Sequence, residues 1–144
     1  MRLWHIDLIQ YLPKSQLKAQ WRELNSIFKK QDNHILINYI YTYPKEYLFN
    51  YSLEVISQIR RRDIKIRSLD NFNNYFNSVL HKHLIDIEDL RFSEHNNEYL
   101  AICYWNLREK YLRGQKDFKK ECFEKLYDFV NTKFDLKSLG IEKE

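Results

Sequence analysis

Apolar positions recur along this chain mostly with the period of helices, and few residues break the pattern. The opening is the exception: Trp4, Ile6 and Leu8 alternate with His5 and Asp7, the period of an extended segment. An apolar terminal segment of this kind is tied to the body of a protein rather than frayed. Pro13 then opens a helix, where its missing N–H costs nothing. Leu17, Trp21, Leu24 and Phe28 form the apolar stripe of that helix, which fades over Lys30–Asn33. Gln16, Gln20 and Glu23 share one edge of it, and Lys18, Arg22 and Lys29 share a basic one. Residues 34–42 (HILINYIYT) are β-branched and aromatic, which predicts a short strand-like or extended connector. Tyr43 and Pro44 begin a second helix whose face is Leu48, Tyr51, Val55 and Ile59, with Glu46 against the helix dipole. Ser68 caps a third stretch presenting Phe72, Tyr75, Phe76, Val79 and Leu80. A helix over 97–113 presents Leu100, Cys103, Tyr104, Leu107 and Tyr111, and Gly114 ends it. The last runs from about Lys116 to Val130, with Phe118, Cys122, Leu126, Phe129 and Val130 inward. The pattern predicts an all-α fold: a single domain over residues 1–144 of about five helices, with the extended N-terminal segment threaded against them.

Composition sharpens this. With 2 Gly and 2 Pro, sandwiches, barrels and Gly-rich nucleotide folds are excluded, because each needs many turns with special backbone angles. The same scarcity rules out a phosphate-cradling loop, and no Gly-x-Ser-x-Gly elbow is present. Hydrophobic residues at 44% suffice for a real core, yet no run approaches the roughly 18 apolar residues of a membrane helix. Arg2 and Asp7 interrupt the opening apolar stretch, so it fails as a secretory signal. Cys103 and Cys122 form no CxxC pair and read as free thiols, which predicts a cytoplasmic protein. His81 and His83, near Asp86 and His95, lack the spacing of a zinc site; they read as solvated polar histidines, with no metal bound.

Charge points toward a polyanion. The net charge is +4, and Arg60, Arg61, Arg62, Lys65 and Arg67 are interrupted only by Asp63. A second run holds Arg108, Lys110, Arg113, Lys116, Lys119 and Lys120, with Tyr104, Trp105 and Tyr111 beside it. Either run could be an ordinary solvated helix end. Segregation of acid into residues 84–98 (Asp86, Glu88, Asp89, Glu94, Glu98) favours a phosphate-contacting surface instead.

The opening MRLWHIDLIQYLPKSQLKAQWRELNSIF resembles the pyrimidine-dimer DNA glycosylases of the phage endonuclease V type, especially their bacterial branch. The likeness continues through NHILINYIYTYPKEYLFNYSLEVISQIRRRDIKI and is looser at EYLAICYWNLREKYL. It implies excision of a dimer base from damaged double-stranded DNA, then strand cleavage at the abasic site. The nucleophile implied is the N-terminal α-amine, which forms an imine at sugar C1′ while a helical Glu assists proton transfer. That Glu matches Glu23, and its Arg neighbour matches Arg22. The family pattern has a small Thr after the initiator Met, whereas residue 2 here is Arg. Met removal favours small second residues, so the reacting amine becomes that of Met1. An α-amine titrates at about 7.7–8.0 against about 10.4 for Lys, so a useful fraction is nucleophilic in the cell. The expected DNA contacts are Arg2, Arg22, Arg60, Arg61, Arg62, Lys65, Arg108, Arg113 and Lys116, on a monomer that needs no cofactor. Because a duplex meets one continuous surface, at least two of the basic groups should share a face with Met1, with the acidic segment off it. The alternative is a nucleic-acid-binding protein on the same helical scaffold without lyase activity.

Overall fold

The computed structural model describes residues 1–80 and 90–143, and over them the chain is all-helical, with no strand. The α-helices are α1 (Lys14–Lys29), α2 (Lys45–Arg61), α3 (Asp70–Tyr75), α4 (Asn77–Leu80), α5 (Asn97–Leu112) and α6 (Lys120–Phe134). No described helix is long and apolar enough to cross a membrane. The fold divides into two compact units, one of Met1–Leu3 with Leu17–Ser93, the other of Trp4–Gln16 with Glu94–Glu144.

In the first unit, Leu24, Ile27 and Phe28 of α1 and Leu48, Tyr51, Val55 and Ile59 of α2 are buried at the expected helical spacing. Trp21 departs from its stripe and stands half-exposed. Phe28, Phe49, Phe72 and Phe76 form an aromatic cluster with centroids 5.1–6.0 Å apart. Residues 34–42 are not extended. A turn, with Asn38 N donating to His34 O at 2.9 Å, leads into a 3-10 helix over Asn38–Thr42. A lone strand would leave its amides and carbonyls without a neighbour, whereas the turn pairs them locally. Helix α2 ends when Asp63 takes a left-handed conformation (φ 54), letting Ile64 N donate to Ile59 O and Asp63 N to Arg60 O, both at 3.1 Å. The basic run therefore starts on a helix and finishes on the irregular segment after it. Ser68 Oγ accepts from Asp70 N at 3.0 Å, but it stands one residue outside the helix: the N-cap is Leu69, whose apolar side chain caps nothing, and the third helix breaks at Phe76 into α3 and α4.

In the second unit the N-terminal segment is irregular only to His5, and then coils into a 3-10 helix over Ile6–Tyr11. Trp4, Leu8, Ile9 and Leu12 are buried. The His5 ring accepts from Asp7 N and the His95 ring from Ile6 N, both at 3.1 Å, so two imidazoles tie this segment down. Helix α5 is capped by Asn96, which accepts from Tyr99 N at 2.9 Å, and ends at Gly114 (φ 84). Its buried side is Leu100, Cys103, Tyr104 and Leu107. Helix α6 begins and ends four residues later than its pattern predicts. The residues just before it act as a cap for another helix: Asp117 accepts from Ser15 N at 2.6 Å and from Ser15 Oγ at 2.9 Å, which satisfies the first turn of α1. Phe118 is buried ahead of α6, in edge contact with Tyr111 and Phe123. Both cysteines are free thiols.

Candidate active site

Glu23 lies on α1, three residues after Gln20, so helical geometry stacks the two side chains on one edge. Gln20 is 1% exposed; Glu23 is half-buried. Gln20 Nε2 donates to Glu23 Oε2 and to the carbonyl oxygen of Arg2, each at 3.2 Å. The hydroxyl of Tyr51, on α2 and 1% exposed, donates to Gln20 Oε1 at 3.0 Å. The backbone N–H of Arg2 also donates to the Glu23 carboxylate. The Arg2 backbone is thus fastened beside this carboxylate, and the Met1 ammonium is among the charges that act on it.

Burial pushes the Glu23 carboxyl above its ordinary value. The Met1 ammonium, the Arg2 N–H, the Arg22 guanidinium and Gln20 all pull it back, and burial prevails. A carboxyl displaced upward beside an amine, with cations around it, is suited to moving protons and to stabilising a positive charge.

A groove of about 670 Å³ opens on the same unit. One wall is α1, with Lys18, Trp21, Arg22, Asn25, Ser26 and Lys29; the other is the segment 64–68 after α2, with Ile59 and Asn71. Among the described residues five cations line it, Lys18, Arg22, Lys29, Lys65 and Arg67, and no carboxylate does. A concave wall of one sign concentrates the field and draws in a polyanion. Trp21 offers a flat apolar surface in it. Asn25 is held by donating to Trp21 O at 2.8 Å and accepting from Asn71 Nδ2 at 3.2 Å. Arg22 belongs to both features, since it lines the groove and its charge acts on Glu23.

The structure divides the expected DNA-contacting residues. Met1, Arg2, Glu23, Arg22 and Lys65 fall in one unit, with Arg22 and Lys65 in the groove. Arg60 and Arg61 instead border a separate shallow depression with Leu53, Ile56 and Ser57, and Arg62 is the half-buried residue that ends α2. Arg108, Arg113 and Lys116 belong to the second unit. There Arg108 sits over the Trp105 ring at 5.5 Å, and Arg113 pairs with Glu109 at 3.6 Å. Of the acidic segment, Asp86, Glu88 and Asp89 lie outside the described residues, as do His81 and His83. Glu94 and Glu98 are exposed on the second unit. Among the described residues no group of three His, Cys, Asp or Glu side chains could hold a metal ion.

Sequence patterns did not mark Gln20, Trp21 or Tyr51 as site residues. Gln20 was visible as a neighbour of Glu23 on a helix edge, while Trp21 and Tyr51 both fit an apolar stripe.

A family model described as pyrimidine dimer DNA glycosylase matches residues 1–72. No curated protein and no solved structure matches the chain. The matched span contains Met1, Arg2, Gln20, Arg22, Glu23, Tyr51 and the whole 60–67 run, whereas the looser likeness over 97–113 lies outside it.

Proposed function

The chain belongs to the pyrimidine dimer DNA glycosylase family, and from that membership we propose that its own N-terminal amine is the nucleophile of base excision. Its substrate is DNA. The single observation that carries the proposal is the fastening of the Arg2 backbone beside Glu23, directly and through Gln20, with the charge of the Met1 amine acting on that carboxylate. An amine held at a carboxylate can be deprotonated on site, and the cation it later becomes stays paired.

The neutral Met1 amine attacks C1′ of the damaged nucleotide. An N–C1′ bond forms, the glycosidic bond breaks, and its electron pair leaves with the base, which takes up a proton. Opening of the sugar ring, with a proton going to its oxygen, gives an iminium ion stabilised by the Glu23 carboxylate. Loss of a C2′ proton expels the 3′ phosphate and cuts the strand, and water then hydrolyses the imine and frees the amine. Glu23 is the group that takes and returns these protons. A stacked dimer is out of reach inside a duplex, so the strand must be distorted at the site. The phosphates on that strand run along the groove from Arg22 to Lys65 and Arg67.

Borohydride reduction during reaction with a duplex carrying one abasic site tests the nucleophile. The expected product is a covalent adduct whose mass maps to the N-terminal residue. An adduct on an internal Lys, or full activity after N-terminal acetylation, would overturn the assignment. Tight binding with no adduct under any condition would favour a DNA-binding protein without lyase activity.

A further inference from the structure

Resting on the reading that Glu23 and the N-terminal amine do the chemistry, we propose that Gln20 and Tyr51 are a positioning pair that holds these two groups in register. The Gln20 amide nitrogen has two hydrogens, and both are committed: one to the carbonyl oxygen of Arg2, the other to Glu23 Oε2, each at 3.2 Å. One planar amide therefore sets the separation between the chain at the nucleophile and the carboxylate that serves it. A Gln on a solvated helix edge would direct these donors to water. Gln20 is 1% exposed, and a buried amide has to find protein partners.

Tyr51 anchors the amide from its other end. Its hydroxyl donates to Gln20 Oε1 at 3.0 Å, and the residue is 1% exposed within the core of α2. Turning the amide over would set Oε1 against the Arg2 carbonyl and the Glu23 carboxylate, leaving three acceptors facing one another. It would also turn the Tyr51 hydroxyl from a donor to Oε1 into an acceptor from Nε2. The two acceptors thus select the orientation, and the hydroxyl completes it as the donor to Oε1. Phe would match the Tyr51 ring in size but would take this donor away from Gln20 Oε1. A neutral donor has a further merit. It orients the carboxylate without cancelling the charge that the iminium needs, which a Lys or Arg in this place would do.

The test uses the full chain with Tyr51→Phe, Gln20→Met and the double variant. Excision of a dimer and trapping at an abasic site are followed across pH, together with duplex affinity and thermal unfolding. Tyr51→Phe should lower kcat by about tenfold, with KM and duplex affinity unchanged, because misplacement disturbs the reacting geometry and not the binding. Gln20→Met should lower kcat further. It should also move the acidic limb of the pH–rate profile upward, since a carboxylate that loses a donor holds its proton to higher pH. The double variant should be no slower than Gln20→Met alone, because both changes act through one hydrogen-bonded chain.

A merely structural role would lower the unfolding temperature and leave kcat and the limb in place. That result, or losses that simply multiply, would overturn the proposal. If Tyr51→Phe does not fold, Gln20→Met decides by the same readouts. Full activity of Glu23→Gln and of N-acetylated protein would instead sink the underlying mechanism, a different outcome from failure of the pair.

Discussion

Glu23 combines a carboxylate, partial burial and four neighbouring cationic or N–H groups, those of Met1, Arg2, Arg22 and Gln20. Its raised pKa carries a sign for stability. Between the ordinary value of 4.5 and the higher folded value, the native state binds more protons than the unfolded chain. Stability therefore falls as pH rises through that window and stays lower above it. Glu23→Gln keeps the size and one acceptor oxygen and removes the charge. Turnover should drop by about 10²-fold while affinity for damaged duplex persists. Relative to wild type, the variant should also gain unfolding temperature between pH 4 and pH 7, a trend that thermal melts at both values would check. A carboxylate that only decorates a helix edge would show neither effect.

At the scale of elements, α1 is the helix on which the site depends, and its start is secured from outside its own sequence. Ser15 sits in its first turn, and both its N–H and its hydroxyl bond to Asp117, which Gln115 Nε2 reaches at 3.0 Å. Burial works against the Asp117 charge, but these hydrogen bonds outweigh it and hold the carboxyl below its ordinary 3.8. A depressed acid contributes stability above its unfolded pKa and loses it as pH falls through the folded value. Asp117→Ala should cost about 1 kcal/mol at neutral pH, the usual worth of a helix cap. The loss should shrink on acidification below the ordinary carboxylate range. Denaturant melts at neutral and acidic pH measure this directly, and an equal loss at both would mean the charge is not what matters.

Over the molecule as a whole, a net charge of +4 predicts some affinity for any polyanion, and the groove predicts where most of it resides. Lys65 and Arg67 line the groove, whereas Arg60 and Arg61 do not. The two pairs carry the same charge, so generic attraction cannot tell them apart. Replacing Lys65 and Arg67 with Ala should flatten the plot of log K against log salt by roughly 0.9 for each phosphate left without its cation. Replacing Arg60 and Arg61 should change it much less. Equal slopes for the two double variants would show that the strand does not follow the groove.

Local physics was legible in the chain itself. The apolar faces of α1, α2 and α5, the stop at Gly114, the all-α class and the Arg22–Glu23 pair all follow from spacings of three or four residues, and such spacings are set within one or two helical turns. The family likeness over the first half of the chain belongs here too, because it is carried by the order of those same short patterns. Tertiary structure decided what depends on partners distant in sequence. Residues 34–42 coil because no strand among the described residues stands by to pair their backbone. Helix α6 starts late because Asp117 caps a helix about a hundred residues earlier. Trp21 leaves its stripe to line a groove whose other wall is the segment 64–68. The basic run is divided at Asp63, where a left-handed residue turns the chain and sends its two ends to different surfaces. Tyr51 has the periodicity of a core residue, yet its hydroxyl meets Gln20 only because α1 and α2 pack with those two positions in contact. A hydrogen bond across 31 residues leaves no period to read; it exists only once packing has brought donor and acceptor together.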